Sequence, residues 1–294
     1  MNTNDLKIFE AVAANGSFTK AAEAMFTVQS NVTARIKSLE DEFNIHLFTR
    51  TSRKVELTAA GETLMYYCKQ ISHLVEEAKK DLSKTTQLLG QLKIGCIETT
   101  MALNVPGMIN QFTDAYPDIE LEFQSANSGD LVTNVMNYKL DAAFVAAPIT
   151  LPGLEQHQVK EDQLVIVTSE AQTSLKHALE NKPVKIVVFD QGCIYRSRLE
   201  SWLSSKGIIN YKSTVLNSLE GIINFVEAGI GFTILPAGLV NQYYASRKLK
   251  TFAINKELGT LNTVIIFRKN VPQSRALKAF LEMYSPKEIN HELV

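Results

Sequence analysis

Cysteine is scarce in this 294-residue chain: Cys68, Cys96 and Cys193 are the only three, and no two form a Cys-x-x-Cys pair. An odd, widely spaced set argues against a disulfide framework or a zinc site, and buried, inert thiols are the expectation. Cys193 lies in a Gly-flanked loop and is the one position where redox chemistry stays open. The five histidines, His46, His73, His157, His177 and His291, are scattered without ligand spacing, so no metal is expected. Long apolar runs are missing too. None approaches the roughly 20 residues that span a bilayer, so no membrane partner is expected. The N-terminus lacks a basic stretch followed by an apolar one, which makes a secretory signal unexpected and a cytoplasmic location the default.

Charge of one sign is also lacking. The net charge is −1. Within residues 1–60, Lys7, Lys20, Arg35, Lys37, Arg50, Arg53 and Lys54 face Asp5, Glu10, Glu23, Glu40, Asp41, Glu42 and Glu56. Any nucleic-acid contact must therefore come from local placement of charge. No Ser/His/Asp order, metal cluster or nucleophile elbow is present, so no enzyme activity and no cofactor is expected. Gly229-Ile-Gly231 lacks the third glycine and the preceding strand of a dinucleotide site.

What is present is a chain long enough for two or three domains, 45% hydrophobic and 21% charged. Residues 5–14 place Leu6, Phe9, Val12 and Ala13 at helical spacing, and Asn15-Gly16 ends that helix. Ser17 is an N-cap for a second helix with Ala21, Ala22, Met25 and Phe26 as its apolar content. After a turn at Thr27 or Val28, a third helix buries Val32, Ile36 and Leu39. Two strand-like pieces, 45–48 and 55–57, are joined by a loop carrying Arg50, Arg53 and Lys54. Together these form a winged helix-turn-helix, the arrangement that pushes one helix into the DNA major groove.

On the third helix the amides of Gln29 and Asn31 can bond a base edge bidentately, with adenine the usual partner. Ser30 and Thr33 can bond a phosphate or a base, and Arg35 suits guanine or phosphate. Arg50, Arg53 and Lys54 suit phosphates or an adjacent minor groove. From Thr58 a long helix carries Leu64, Cys68, Ile71, Val75, Ala78, Leu82, Thr85 and Leu89, a 3.5-residue seam suited to pairing with a second copy. Beyond Leu92 strands and helices alternate as two α/β lobes.

Several residues carry a resemblance: Ala21-Ala22-Glu23, Gln29, Val32, Ile36, Leu39-Glu40, Leu47-Phe48, Arg50, Arg53, Val55, Leu57-Thr58, Ala60-Gly61, Tyr116-Pro117, Leu140-Asp141, and Gly229-Ile-Gly231 before Leu235-Pro236. Over its full length the chain resembles LysR-type transcriptional regulators. The resemblance implies a winged helix-turn-helix at 1–58, a linker and dimerisation helix at 59–89, and a periplasmic-binding-protein-like effector domain at 90–294. Lobe I is then expected at about 92–161 and 267–294, lobe II at about 162–266. Implied partners are double-stranded DNA with an interrupted inverted repeat, a second copy through the linker helix, a tetramer, RNA polymerase and a small-molecule effector.

Two departures stand out. Val28-Gln-Ser-Asn-Val-Thr33 replaces the family's usual Ser-Gln-Pro-Ala-Val-Ser, and Phe43-Asn44 replaces a usual Leu-Gly, so the turn into the wing is expected to differ slightly.

Polar residues gather where strands end and helices begin: Thr99 and Thr100, Ser128 and Gly129, Cys193 and Arg196, Ser218, and Phe232-Thr233 after the Gly turn. Ligands of open α/β sheets bind there. Helix N-termini attract anions, so the expected effector is an anionic metabolite with Arg196 as counter-charge. A solute-binding protein and an enzyme with an appended regulatory domain are the alternatives.

Overall fold

The computed structural model describes residues 1–50, 54–82, 90–103, 105–180 and 182–284. The chain divides into two compact units, Met1–Lys84 and Thr85–Val294.

In the first unit, α1 (Thr3–Asn15), α2 (Phe18–Ala24) and α3 (Gln29–Phe43) precede a hairpin of β1 (Phe48–Arg50) and β2 (Val55–Leu57), then α4 (Ala59–Leu82). Helix α1 starts in a reciprocal cap: Asn2 accepts from the Asp5 amide, and Asp5 accepts from the Asn2 amide. Gly16 ends it in the left-handed conformation, φ 58°. Asn44 closes α3 the same way at φ 50°. Asparagine tolerates that conformation, so it does the work of the glycine it replaces. Leu6, Phe9, Val12, Ala21, Ala22, Val32, Ile36 and Leu39 form one buried core. Phe48 joins it, its ring 5.2 Å from that of Phe9.

Phe26 departs from expectation. It does not line the second helix but sits in the turn at φ 50°, 98% exposed. The first half of the expected pairing seam also behaves differently. Cys68 is fully buried, and Leu64 and Ile71 pack beside it against the core of their own unit. The early turns of α4 thus cement the winged domain. Exposed apolar side chains on α4 are Tyr66, Tyr67, Leu74 and Leu82. Thr85 and Leu89 lie outside the described residues.

The second unit runs β3 (Gly90–Cys96), α5 (Glu98–Leu103), α6 (Val105–Ala115), β4 (Ile119–Ser125), α7 (Ser128–Met136), β5 (Ala142–Ala146) and β6 (Leu154–Ser169). It continues with α8 (Leu175–Glu180), β7 (Val184–Val188), α9 (Ile194–Ser205), β8 (Tyr211–Val215), α10 (Leu219–Glu227), β9 (Thr233–Pro236) and α11 (Ala237–Tyr243). It ends with β10 (Leu249–Ala253), α12 (Lys256–Gly259), β11 (Thr260–Arg268) and α13 (Arg275–Tyr284).

One sheet, ordered β10-β6-β11-β5-β3-β4 with β9 also on β6, runs through both lobes. The 16-residue β6 links them: residues 154–163 pair with β11 in lobe I, and 164–169 pair with β9 and β10 in lobe II. A bulge lies between Thr263 and Val264 of that ladder. Strand β11 pairs with β6 over Thr260–Arg268 and with β5 over Thr263–Phe267, so the chain is back in this part of the sheet before residue 267. Strands β7 and β8 form a separate parallel pair. Close packing explains Gly231: a Cβ there would stand 2.8 Å from the Lys185 carbonyl oxygen.

Candidate nucleic-acid interface and effector cleft

The leading end of α3 is polar and open. Val28 caps it without a side-chain bond, and Gln29 and Ser30 are exposed. Gln29 Oε1 accepts from Thr19 Oγ1 at 3.1 Å, which ties the two helices of the motif together. Asn31 is half-buried, and its Nδ2 donates to Thr27 Oγ1 at 3.0 Å, leaving the carbonyl end of the amide open. Thr33 is half-buried one turn on.

Arg35 is also engaged within the protein. Its Nη1 holds the buried Asp5 carboxylate at 2.9 Å, so one arm of the guanidinium clamps α3 to the start of α1. The Arg35 side chain keeps 42% of its surface exposed beside this pair. In the wing, Lys54 Nζ pairs with Glu56 at 3.1 Å, both largely exposed. Such a pair contributes little to stability and opens readily to a phosphate. The Arg50 side chain and all of Arg53 lie outside the described residues.

Sequence reasoning missed two residues here. Phe26 stands beside the N-terminus of α3, and its left-handed turn is what expels the ring from the core. Glu40, 8% exposed, accepts from the amides of Leu47 at 2.8 Å and Phe48 at 3.3 Å, fixing the start of the wing to α3.

In the second unit a cavity of about 300 Å³ opens between the lobes. From lobe I it is lined by residues at the start of α5, the end of β4 and the start of α7; from lobe II, by the segment after β7, the start of α9 and Asn217 before α10. Three expected residues, Thr99, Ser128 and Cys193, line it. The others do not. Thr100 is buried within α5. Gly129 lies between two lining residues, Ser128 and Asp130, without lining the cavity itself. Ser218 is spent as the N-cap of α10, accepting from the Gly221 amide at 3.2 Å. Phe232 is buried edge-on against Trp202, and Thr233 is buried in β9, paired with Val167 of β6. Both belong to the interior of lobe II. Arg196 binds Glu200 one turn on at 2.9 Å and is not part of the lining.

Two bonds cross between the lobes at the cavity. Thr99 Oγ1 and Tyr195 Oη are 2.6 Å apart and buried. Glu98 Oε1 accepts from the Leu219 amide at 2.7 Å, capping α10 from the opposite lobe. Burial pushes the Tyr195 phenol up, so it stays protonated and able to donate at every ordinary pH. Burial likewise pushes the Cys193 thiol up, and those of Cys68 and Cys96 to about 12. All three remain thiols at neutral pH, without the thiolate that redox sensing uses.

Comparison with known proteins matches each unit. Residues 3–62 match the model for the bacterial regulatory helix-turn-helix protein of the LysR family. Residues 85–286 match the LysR substrate binding domain. HTH-type transcriptional regulator CzcR of Bacillus cereus is 36% identical over 282 residues, covering 96% of each chain. HTH-type transcriptional regulator YofA of Bacillus subtilis is also 36% identical over 282 residues, 96% of this chain and 98% of that one. In fold, the chain is similar to full-length OxyR of Pseudomonas aeruginosa, with a TM-score of 0.73, 21% identity, and 96% and 94% of the two chains covered. It is similar also to full-length CbnR solved in complex with its target DNA, with a TM-score of 0.67, 19% identity, and 97% and 99% covered. The helix-turn-helix, the two-lobed effector unit and these relatives agree: the chain belongs to the LysR family of DNA-binding transcriptional regulators.

Proposed function

We propose that this regulator reads an interrupted inverted repeat in double-stranded DNA as a homodimer, and that a small molecule held between the lobes of the second unit sets its activity. The observation that carries the DNA reading is the polar end of α3, exposed Gln29 and Ser30 beside half-buried Asn31, on a packed three-helix core. Pairing through α4 has support in Tyr66, Tyr67, Leu74 and Leu82, apolar groups left on its surface. A two-fold dimer places its half-sites by the DNA helical repeat. Further assembly to a tetramer, contact with RNA polymerase and a cytoplasmic location are the remaining parts of this reading.

The effector part rests on the cavity and on the two bonds that cross it. A ligand that binds better when Thr99–Tyr195 or Glu98–Leu219 is rearranged shifts the balance between lobe arrangements, by no more than that preference. An anionic effector has in its favour the α9 N-terminus, whose N-cap Cys193 makes no side-chain cap bond.

A salt series tests the DNA reading. Log affinity is expected to fall against log salt by about 0.9 per neutralised phosphate. Arg53→Ala reduces that slope by about 1 on every sequence, whereas Asn31→Ala changes base preference by about 1–3 kcal/mol. Identical effects of the two variants on all DNA sequences refute the division of roles. Phe26→Ala is expected to weaken operator binding about tenfold, through lost apolar contact with sugars or thymine methyls, at an unchanged melting temperature. Fluorescence anisotropy with labelled operator reads it, and unaltered affinity removes Phe26 from the interface.

A further inference from the structure

The cavity between the lobes has a charge opposite to that expected of its effector. Three carboxylates line it: Glu98, Asp130 and Asp190. Among the described residues no lysine, arginine or histidine does. Each partner these acids have is neutral. Glu98 accepts from the Leu219 backbone amide at 2.7 Å, and Asp130 Oδ2 accepts from Asn127 Nδ2 at 2.7 Å. The Asp190 carboxylate, on the exposed segment after β7, has no side-chain partner among the described residues. Hydrogen bonds from amides orient these groups but leave their charge in place.

The features that attract anions are largely spent. At α10 the Leu219 amide is taken by Glu98 and the Gly221 amide by Ser218. At α7 the Asp130 amide is taken by Asn127 Oδ1 at 2.9 Å. Arg196 is matched by Glu200. At the starts of α7 and α9 some backbone amides stay uncapped, and each helix end amounts to about half a positive charge. Three full carboxylate charges in a partly enclosed site outweigh those two partial ones. Like charges in such a cleft repel a second anion and concentrate a cation.

We propose that the cleft selects a small ligand bearing a protonated amine or guanidinium, with Asp190 and Asp130 as its counter-charges and Glu98 holding the lobes over it. The neutral Ser128 and Asn217 leave room for a polar acceptor at the ligand's other end. This inference rests on the reading of the cavity as the effector site.

The test uses the full-length protein and three matched probe series: α,ω-diamines, diols and dicarboxylates of three to six carbons. Binding is read by calorimetric titration at millimolar probe. At least one diamine is expected to bind about tenfold more tightly than the diol and dicarboxylate of its length, and Asp190→Asn to weaken it about tenfold. A dicarboxylate that binds as well as the diamine overturns the charge assignment and leaves the cavity as effector site. A diamine whose affinity ignores both Asp190→Asn and Asp130→Asn sits elsewhere, and the assignment to this cleft fails. Binding by no member of any series overturns the amine assignment and leaves the cavity reading standing on its own geometry.

Discussion

Gly61→Ala is expected to unfold the DNA-binding unit. A Cβ at Gly61 would stand 2.1 Å from the Leu47 carbonyl oxygen and 2.9 Å from Leu57 Cδ2. The first neighbour is backbone and cannot swing aside. The Leu47 carbonyl already accepts from the Thr58 amide at 3.0 Å, and Thr58 Oγ1 both accepts from the Gly61 amide at 3.0 Å and donates to the His46 carbonyl at 2.7 Å. Making room therefore breaks the staple that joins the start of α4 to the entry of the wing. Overpacking against movable side chains costs about 1–3 kcal/mol, and a fixed carbonyl puts the cost at or above the upper end. Scanning calorimetry should show the transition of residues 1–84 lowered by more than 10 °C or lost, on the order expected for a domain of this size, with operator binding abolished. A shift of a degree or two would show that the close approach relaxes cheaply.

Glu40→Ala should be nearly as damaging, for a different reason. Its carboxylate is the acceptor for two buried amides, Leu47 at 2.8 Å and Phe48 at 3.3 Å. Removing it strands both donors at about 1–3 kcal/mol each, so a loss of about 3 kcal/mol is expected. The consequence for DNA is larger than that of an ordinary core defect, because Phe48 begins the strand that carries Arg50 and leads to the cationic loop. Glu40→Gln keeps one acceptor oxygen in place and should recover roughly half of the loss. Chemical denaturation and anisotropy on the two variants separate these outcomes. Equal damage by Gln and Ala would mean that negative charge, rather than the acceptor, is what the site needs.

Much of the first unit was legible because its helices are short and periodic. Leu6, Phe9 and Val12, then Val32, Ile36 and Leu39, face inward as their spacing requires. Phe26 was misplaced because an apolar residue at the end of an apolar run reads as core, and only the left-handed turn reverses it. The 64-68-71 positions of α4 read correctly as an apolar face, but periodicity does not say which surface covers it, and the winged domain does. In the second unit the apolar strands β3, β5 and β7 announce themselves. The first ten residues of β6, Leu154–Gln163, are too polar to do so. They are held by pairing with β11, and half of them are exposed.

The cleft was the least legible part. Thr99, Ser128 and Cys193 follow from the rule that ligands sit beyond strand ends, yet Glu98 acts on an amide 121 positions away. Arg196 looked free in the sequence because nothing there says that Glu200, one helical turn on, would occupy it.

The position of β11 also bears on how the protein is made. It is the last strand among the described residues, yet it belongs between β5 and β6. Lobe II can complete its β7–β10 framework while lobe I still lacks an inner strand. Lobe I must also wait for α13, whose Phe280 fills its core beside Phe112 and Phe144. On the ribosome the lobe begun first is thus finished last, and a nascent chain halted before Thr260 carries an unpaired β5 edge of Ala142–Ala146, a segment prone to sticking to its neighbours.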